Sequence, residues 1–491
     1  MIESSVAEIA AVVGGRLVAA DPERTVSGKV EFDSRKVVPG DLFLAIAGNR
    51  VDGHDYAEAA VRAGAVAVLA SRAVPAPAIL VADPIAAITE LARAGARRLN
   101  ARIIGITGSS GKTSTKDLLA QVLASAGATV ATPSSFNNEL GYPYTVLLAD
   151  EKTQYLVLET SSRGVGHIRH LTGIAAPRLA AVLNVGSAHL SEFGSVETIA
   201  LAKGELVEAR PSAADGGVAV LNADDPLVAA MAARTSARVL TAGEHRDADV
   251  RAEQVTVDSS GRAGFELVTA TGRAAVRLNV HGGHQVSNAV IAAALALACG
   301  LELPAVAQAL SQASVRSPWR MEVCETAAGI TVINDAYNAN PESMRAALKA
   351  LTIMSEGRRS VAVLGHMAEL GPDAIAQHDA LGRHAARLDI SALIAVGDQA
   401  RALVTGAALE GSYNGESEWV PDATAAVARL GEELRPGDVV LVKGSRSAAM
   451  EVVAQALIER FGGIVGTDRT GSTDSTASTA STASTADGPP A

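Results

Sequence analysis

"GITGSSGKTSTK", residues 105–116, decides how the rest of the chain is read. It lies between a strand-length apolar run, "IIGI", and an amphipathic run, "TKDLLAQVLASAG". A buried strand is therefore expected to turn through a glycine-rich loop into a helix, which is the setting of a phosphate-binding loop. The spacing departs from the strict pattern G-x-x-x-x-G-K-[ST], because Ile106 stands where the first glycine belongs. Gly108 and Gly111 still let the backbone turn tightly and aim N–H groups inward, with Ser109 and Ser110 between them. The helix starting near Lys112 offers the same space its positive dipole end. Lys112 is then placed for the terminal phosphates of ATP and Thr113 for a magnesium ion through its hydroxyl, with Ser114 completing the nucleotide-binding run. The plainer alternative is a glycine turn followed by a surface lysine.

From Arg102 onward strand-length and amphipathic runs alternate: "YLVLE", "LAAVLNV" and "GGVAVLN" follow the loop. Such alternation predicts a parallel sheet with crossover helices. A second series starts near Arg316 with "GITVIND", "PESMRAALKAL", "SVAVLG", a helix through His378, "ALIAVG" and "DVVLVKGS". Before both, "DLFLAIAG" and "AVAVLA" precede a helical stretch, "IAAITELARAGARRL". The reading is an α/β chain of three domains: a smaller α/β domain over 1–97, a central nucleotide-binding domain with a mostly parallel sheet over 98–315, and a Rossmann-like domain over 316–466. Residues 467–491, a Ser/Thr/Ala repeat with almost no large apolar side chain, are expected to be a disordered tail.

Of the 491 residues, 48% are hydrophobic and 19% charged, enough for large cores. A formal net charge of -11 argues against a nucleic-acid binder that relies on a general positive surface, while leaving room for a local phosphate site. The two cysteines, Cys299 and Cys324, have no metal-ligand spacing and are expected to be buried free thiols in a cytoplasmic protein. "MIESSVAEIA" lacks the features of a secretory signal, and "AVIAAALALAC" is too short to span a bilayer, so no membrane insertion is expected and that stretch reads as a buried helix.

Phosphoryl transfer needs cations, and in a parallel sheet their ligands collect at the carboxyl ends of strands. Glu159 ends "YLVLE", His189 follows "LAAVLNVGSAHL", and Lys203 lies beyond in "ALAKGEL". Each alone is ordinary: a solvated charge, a satisfied histidine, a surface lysine. Asp335 ends another strand and could meet ribose hydroxyls, with Tyr337, Asn338 and Asn340 in a polar turn before Pro341, which starts a helix.

Taken together these stretches resemble the Mur ligase family, the ATP-dependent amide-forming enzymes that build the peptide of bacterial cell-wall precursors. "TGSSGKT" resembles the family's TGxxGK[ST] loop. The resemblance implies that Glu159 and His189 bind magnesium, two ions in all, and that Lys203 is carbamylated by carbon dioxide to join them. It implies that Asn137, Asn138 and Glu139 of "SSFNNELGYP" line the reaction site, and that Asn288 of "GGHQVSNAVIAAALAL" lies by the adenine. The family's first asparagine there is replaced by Gln285. "LNADDP" also matches family usage, with an Asx-capped turn as the equal alternative. Arg320 of "PWRMEV" is implied to meet the ATP phosphates when the third domain closes, a task suited to a planar guanidinium. By resemblance "YNANP" implies addition of D-alanyl-D-alanine to UDP-N-acetylmuramoyl-tripeptide, an ordinary Asx-capped turn being the plainer alternative, with Lys443 and Ser445 of "LVKGSR" fit to receive the dipeptide. "LGHMAELG" has His366 where the family commonly has aspartate. Ser34 and Arg35 of "FDSRKVVPGD" are the implied uridine-nucleotide contacts, and a monomer is the expected state.

Overall fold

The computed structural model describes residues 1–48, 51–186, 190–245, 247–411 and 413–463. His189 and the segment 467–491 lie outside the described residues. Three α/β bodies follow one another along the chain, each built on its own sheet.

The first carries a five-stranded sheet in the order Arg16–Val18, Ala78–Leu80, Ala67–Ala70, Leu42–Leu44, Val30–Glu31, parallel except for its first strand. Helix Pro84–Arg98 begins where the sequence signals it: Asp83 caps Ile85 and Ala86, and Pro84 takes the first turn, where its missing N–H costs nothing. Its apolar face, Ala87, Ile88, Leu91 and Ala92, packs on helix Val6–Val13 and also on helix Gly141–Leu147 of the second body. The expected boundary at 97/98 is thus a place where the chain passes over while the apolar core continues, through Tyr142 and Val146 to Leu156 and Leu158.

The second body holds a nine-stranded sheet. Strands Thr129–Ala131, Tyr155–Glu159, Arg102–Thr107, Leu179–Val182, Val218–Asn222, Arg238–Gly243 and Val250–Val257 are parallel neighbours in that order. Arg262–Thr269 and Gly272–His281 then extend the sheet antiparallel, a meander the alternating series did not foretell. Arg102–Thr107 lies between Tyr155–Glu159 and Leu179–Val182, so the chain leaves it to opposite sides and a crevice opens at the carboxyl ends of these strands. Helix Gln285–Ala298, apolar almost all round, is buried between this sheet and helix Lys112–Ala124. Among the described residues no helix is long and apolar enough to cross a membrane.

The third body holds six strands in the order Glu322–Glu325, Thr331–Asp335, Val439–Lys443, Ser360–Leu364, Ala392–Val396, Glu416–Val420. All are parallel except the edge strand Glu322–Glu325, and apolar clusters cover both faces. Cys299 and Cys324 are both buried, with no disulfide between them, and burial pushes the Cys299 thiol up to about 11.

Candidate active site

The loop after strand Arg102–Thr107 turns as its glycines require. Gly111, at φ 78°, is the N-cap of helix Lys112–Ala124, and a Cβ there would come within 2.4 Å of Asn288 Oδ1. A Cβ on Gly108 would meet Leu183 Cβ at 2.8 Å. The serines between are tied to the end of the neighbouring strand: Ser109 N donates to Asn184 O at 3.1 Å, Ser110 N to Asn184 Oδ1 at 2.9 Å, and Gly186 N to Ser109 Oγ at 2.9 Å. Lys112 is partly buried and its ammonium donates to Gly108 O at 2.7 Å. Burial lowers its pKa, with Arg320 adding to the effect and Glu159 opposing it.

Beside the loop, Glu159 is 1% exposed and its carboxylate takes two donors, Thr113 Oγ1 at 2.8 Å and Asn137 Nδ2 at 2.7 Å. Thr113 Oγ1 is also 3.1 Å from Ser135 Oγ. A hydroxyl and a carboxylate oxygen side by side next to a phosphate loop are hard donors suited to magnesium, which characteristically takes one or two carboxylates and completes its shell with phosphates and water. Among the described residues no three His, Cys, Asp or Glu side chains cluster as a preformed metal cage. Lys203, on helix Val196–Glu208, is 4% exposed. Burial first, then the charge of Lys112, drives its pKa well below that of an ordinary lysine, which favours the neutral amine.

The third body closes the crevice. Arg320 Nη2 donates to Ser135 Oγ at 2.9 Å and the guanidinium lies 4.1 Å over the Tyr337 ring, while its Nε is buried without a partner among the described residues. The backbone beside it is unusual: Trp319 and Met321 have φ of 61° and 52°, a left-handed conformation that costs side-chain-bearing residues about 1–3 kcal/mol each. Asp335 accepts from Met321 N at 3.0 Å and pairs with Lys443 Nζ at 2.6 Å, and Lys443 also donates to Asn338 O at 2.9 Å. Asn340 caps helix Pro341–Met354 by accepting from Ser343 N. Across the gap stands His284, whose pKa is lowered by burial, raised in part by Asp335 and lowered again by Lys443.

A cavity of about 510 Å³ lies between the second and third bodies. It brings together Ser109, Ser110, Gly111, Lys112, Thr113, Ser114, Asn137, Glu159, Asn288, Arg320, Asp335, Tyr337, Asn338, Asn340 and Lys443, all anticipated from sequence. Gly108, Lys203, Asn138, Glu139, Ser445, Ser34 and Arg35 are not among the residues that line it. Asn138 Oδ1 accepts from Gly141 N at 2.9 Å, just ahead of helix Gly141–Leu147, and Glu139 Oε1 lies 3.1 Å from His167 Nε2. Ser445 is buried, accepting from Ala368 N and donating to Ala339 O. Arg35 is exposed and held bidentately by Asp33. The loop bearing it is tied to the crevice by Phe32, Phe136 and Tyr144, whose rings are 5.3 to 6.0 Å apart. Asp225 of "LNADDP" is a helix cap that also accepts from Val185 N, the Asx-turn alternative.

Residues not singled out from the sequence also face the cavity. Ser135 bridges Thr113 and Arg320, and Asn184 holds the serine pair; both were within quoted stretches, but a serine or asparagine in a loop carries no role by itself. Gln285, which replaces a family asparagine, accepts from Asn288 Nδ2 at 2.9 Å and so fixes the amide against the glycine loop, with Thr115 Oγ1 donating to Asn288 Oδ1 at 3.2 Å.

Comparison with known proteins agrees with this arrangement. The Mur ligase family, catalytic domain matches residues 28–104, the Mur ligase middle domain matches 106–296, and the Mur ligase, glutamate ligase domain matches 319–446. A Mycobacterium tuberculosis protein named UDP-N-acetylmuramoyl-tripeptide--D-alanyl-D-alanine ligase is 50% identical over 93% of this chain and 98% of its own. The Escherichia coli protein of the same name is 35% identical over 94% and 99%. The crystal structure of MurF from Acinetobacter baumannii superimposes with a TM-score of 0.81 at 31% identity, covering 93% of this chain and 99% of that one. MurF from Thermotoga maritima, solved in complex with ADP, gives 0.74 at 28% identity, covering 89% and 98%. On these grounds the chain belongs to the Mur ligase family and is of the MurF type.

Proposed function

We propose that the protein joins D-alanyl-D-alanine to UDP-N-acetylmuramoyl-tripeptide with hydrolysis of ATP to ADP, a step in the synthesis of peptidoglycan precursors for the cell wall, and hence in cell shape and division. The supporting observation is the cavity in which a phosphate loop, a carboxylate–hydroxyl pair and an arginine from another body converge. The terminal carboxylate of the tripeptide attacks the γ-phosphorus, the bond to the ADP oxygen breaks, and an acyl phosphate forms. The amine of the dipeptide then attacks the acyl carbon, loses a proton, and the carbon–oxygen bond to phosphate breaks, leaving an amide.

In this reading Lys112 and Arg320 hold negative charge through both steps, and the loop N–H groups orient the phosphates, which is catalysis by positioning and preorganised charge. Thr113, Glu159, His189 and a carbamate on Lys203 would hold magnesium, which when bound offsets charge on the transferred phosphoryl group. A buried neutral amine at Lys203 is the form that reacts with carbon dioxide. Asp335, Tyr337, Asn338 and Asn288 serve the nucleoside end of ATP. Ser34 and Arg35 serve the uridine end, Asn137, Asn138 and Glu139 the tripeptide, and Asn340, Lys443 and Ser445 the dipeptide. Domains over 1–97, 98–315 and 316–466, a monomeric state and a cytoplasmic site of action complete the proposal.

The test is phosphate release with ATP alone, with the tripeptide nucleotide added, and with the dipeptide added last. Rapid turnover only with all three is expected. Equal release without the dipeptide would instead mark a nucleotide-driven switch.

A further inference from the structure

Arg320 reaches the cavity from a segment with no regular secondary structure, residues 313–321, between helix Leu303–Gln312 and strand Glu322–Glu325. A side chain delivered by such a linker keeps its aim only if the linker is held. Ahead of Arg320 the holding is done by its own body, where Asp335 takes Met321 N and Tyr337 N donates to Trp319 O at 3.2 Å.

Behind it, the holding is done by the nucleotide helix Lys112–Ala124. Gln121 Nε2 donates to Ser314 O at 2.9 Å and Ser314 N donates back to Gln121 Oε1 at 3.1 Å, so the side-chain amide pairs with the linker as a strand would. Arg316 Nε adds a third bond to Gln121 Oε1 at 3.2 Å. One turn nearer the phosphate loop, Asp117 Oδ2 accepts from Ser317 N at 3.1 Å, and its other oxygen is 2.7 Å from Lys116 Nζ. Lys116 is buried and also donates to Thr132 O and Ser134 O, fixing the segment that carries Ser135. The contacts close a ring: from the helix through Lys116 to Ser135, from Ser135 to Arg320, back along the linker to Asp117 and Gln121, and so to the helix.

We infer that Asp117 and Gln121 are positioning residues for the ligase reaction, clamping the interdomain linker to the nucleotide helix so that Arg320 is held over the nucleotide site. The left-handed backbone at Trp319 and Met321 fits this role. Neither residue is glycine, so that conformation persists only where anchors on both sides impose it. Release of the rear anchor lets the segment relax and turns the guanidinium away, while the phosphate loop and the cavity wall stay as they are. The helix that binds phosphate at one end thereby carries the hinge of the closing body along its side.

This inference rests on the ligase reading, and its experiment separates the two. In the full chain, Gln121→Ala and Asp117→Asn are each combined with Arg320→Lys, and kcat and KM for ATP are measured with both substrates present. Residues that act through Arg320 should lower kcat by about tenfold or more alone and by less than about twofold in the Arg320→Lys background, with KM for ATP little changed. A loss that multiplies fully in both backgrounds overturns the inference. An inactive parent chain would instead sink the ligase reading. Trp319 supplies a second readout that needs no turnover. With the only other tryptophan changed by Trp419→Phe, acrylamide quenching of Trp319 should rise in Gln121→Ala while the melting temperature holds. Should Arg320→Lys prove inactive, unchanged quenching overturns the inference on its own.

Discussion

The glycine at the helix start gives the sharpest prediction, because substitution there has two separable costs. In Gly111→Ala the new Cβ must sit in a left-handed conformation, at φ 78°, which costs about 1–2 kcal/mol. It also meets Asn288 Oδ1 at 2.4 Å. That oxygen belongs to a buried amide tethered by Thr115 and Gln285, so moving it breaks two hydrogen bonds worth about 1 kcal/mol each. The sum, about 3–4 kcal/mol, falls on the loop conformation to which we assign phosphate binding. At 1.4 kcal/mol per tenfold, affinity for magnesium-ADP should drop by about two to three orders of magnitude. Loop relaxation returns part of this, so a loss of at least about tenfold is the expected floor. Isothermal titration with magnesium-ADP on the intact chain, alongside circular dichroism to show that the protein is folded, measures it. Affinity within about threefold of the parent would refute the argument that this backbone is fixed by sterics.

Lys112→Ala is expected to abolish substrate-dependent ADP release, since the ammonium we assign to the phosphates has no substitute; ordinary turnover in that variant would remove the loop from the reaction. If a carbamate forms on Lys203, activity of Lys203→Ala should return in part when bicarbonate and a short carboxylic acid are supplied, and equal inactivity with and without the acid counts against it. The Glu139 carboxyl is held down to about 2 by His167, against burial. A depressed carboxyl pKa contributes stability that is complete above the ordinary value of 4.5 and is lost as the pH falls towards 2. The parent should therefore lose more stability than Glu139→Gln across that window. Because the side chain is half exposed, the difference should stay under about 1 kcal/mol in urea titrations, and parallel profiles would show that the contact carries no weight.

Much of the fold was legible because parallel strands buried on both faces read as apolar runs. "YLVLE", "SVAVL" and "VVLVK" are fully buried strands in the register expected of alternating units. The antiparallel meander was not read, although "VRAEQVTV" and "GRAAVRLNVH" alternate in burial along their length. One face of each is polar, which weakens the apolar signal. In the site, residues whose chemistry demands a type were legible: glycine at positive φ, lysine at a helix start, a carboxylate at a strand end. Residues that act by holding another were not. Gln121 and Ser314 are 193 positions apart, and an amide on the polar side of a helix looks the same whether it clamps a linker or faces water. Ser445 illustrates the reverse case: the strand-end placement was read correctly, yet its hydroxyl is taken up between Ala368 and Ala339.

The central claim is that a carboxylate is activated by phosphoryl transfer inside this cavity before an amine takes it. Labelling the tripeptide's terminal carboxylate with heavy oxygen and analysing the phosphate released on forming the pentapeptide nucleotide tests that most directly. One labelled oxygen transferred to each phosphate is the result this account predicts. Phosphate free of label, or ATP consumed with no peptide bond made, would contradict it.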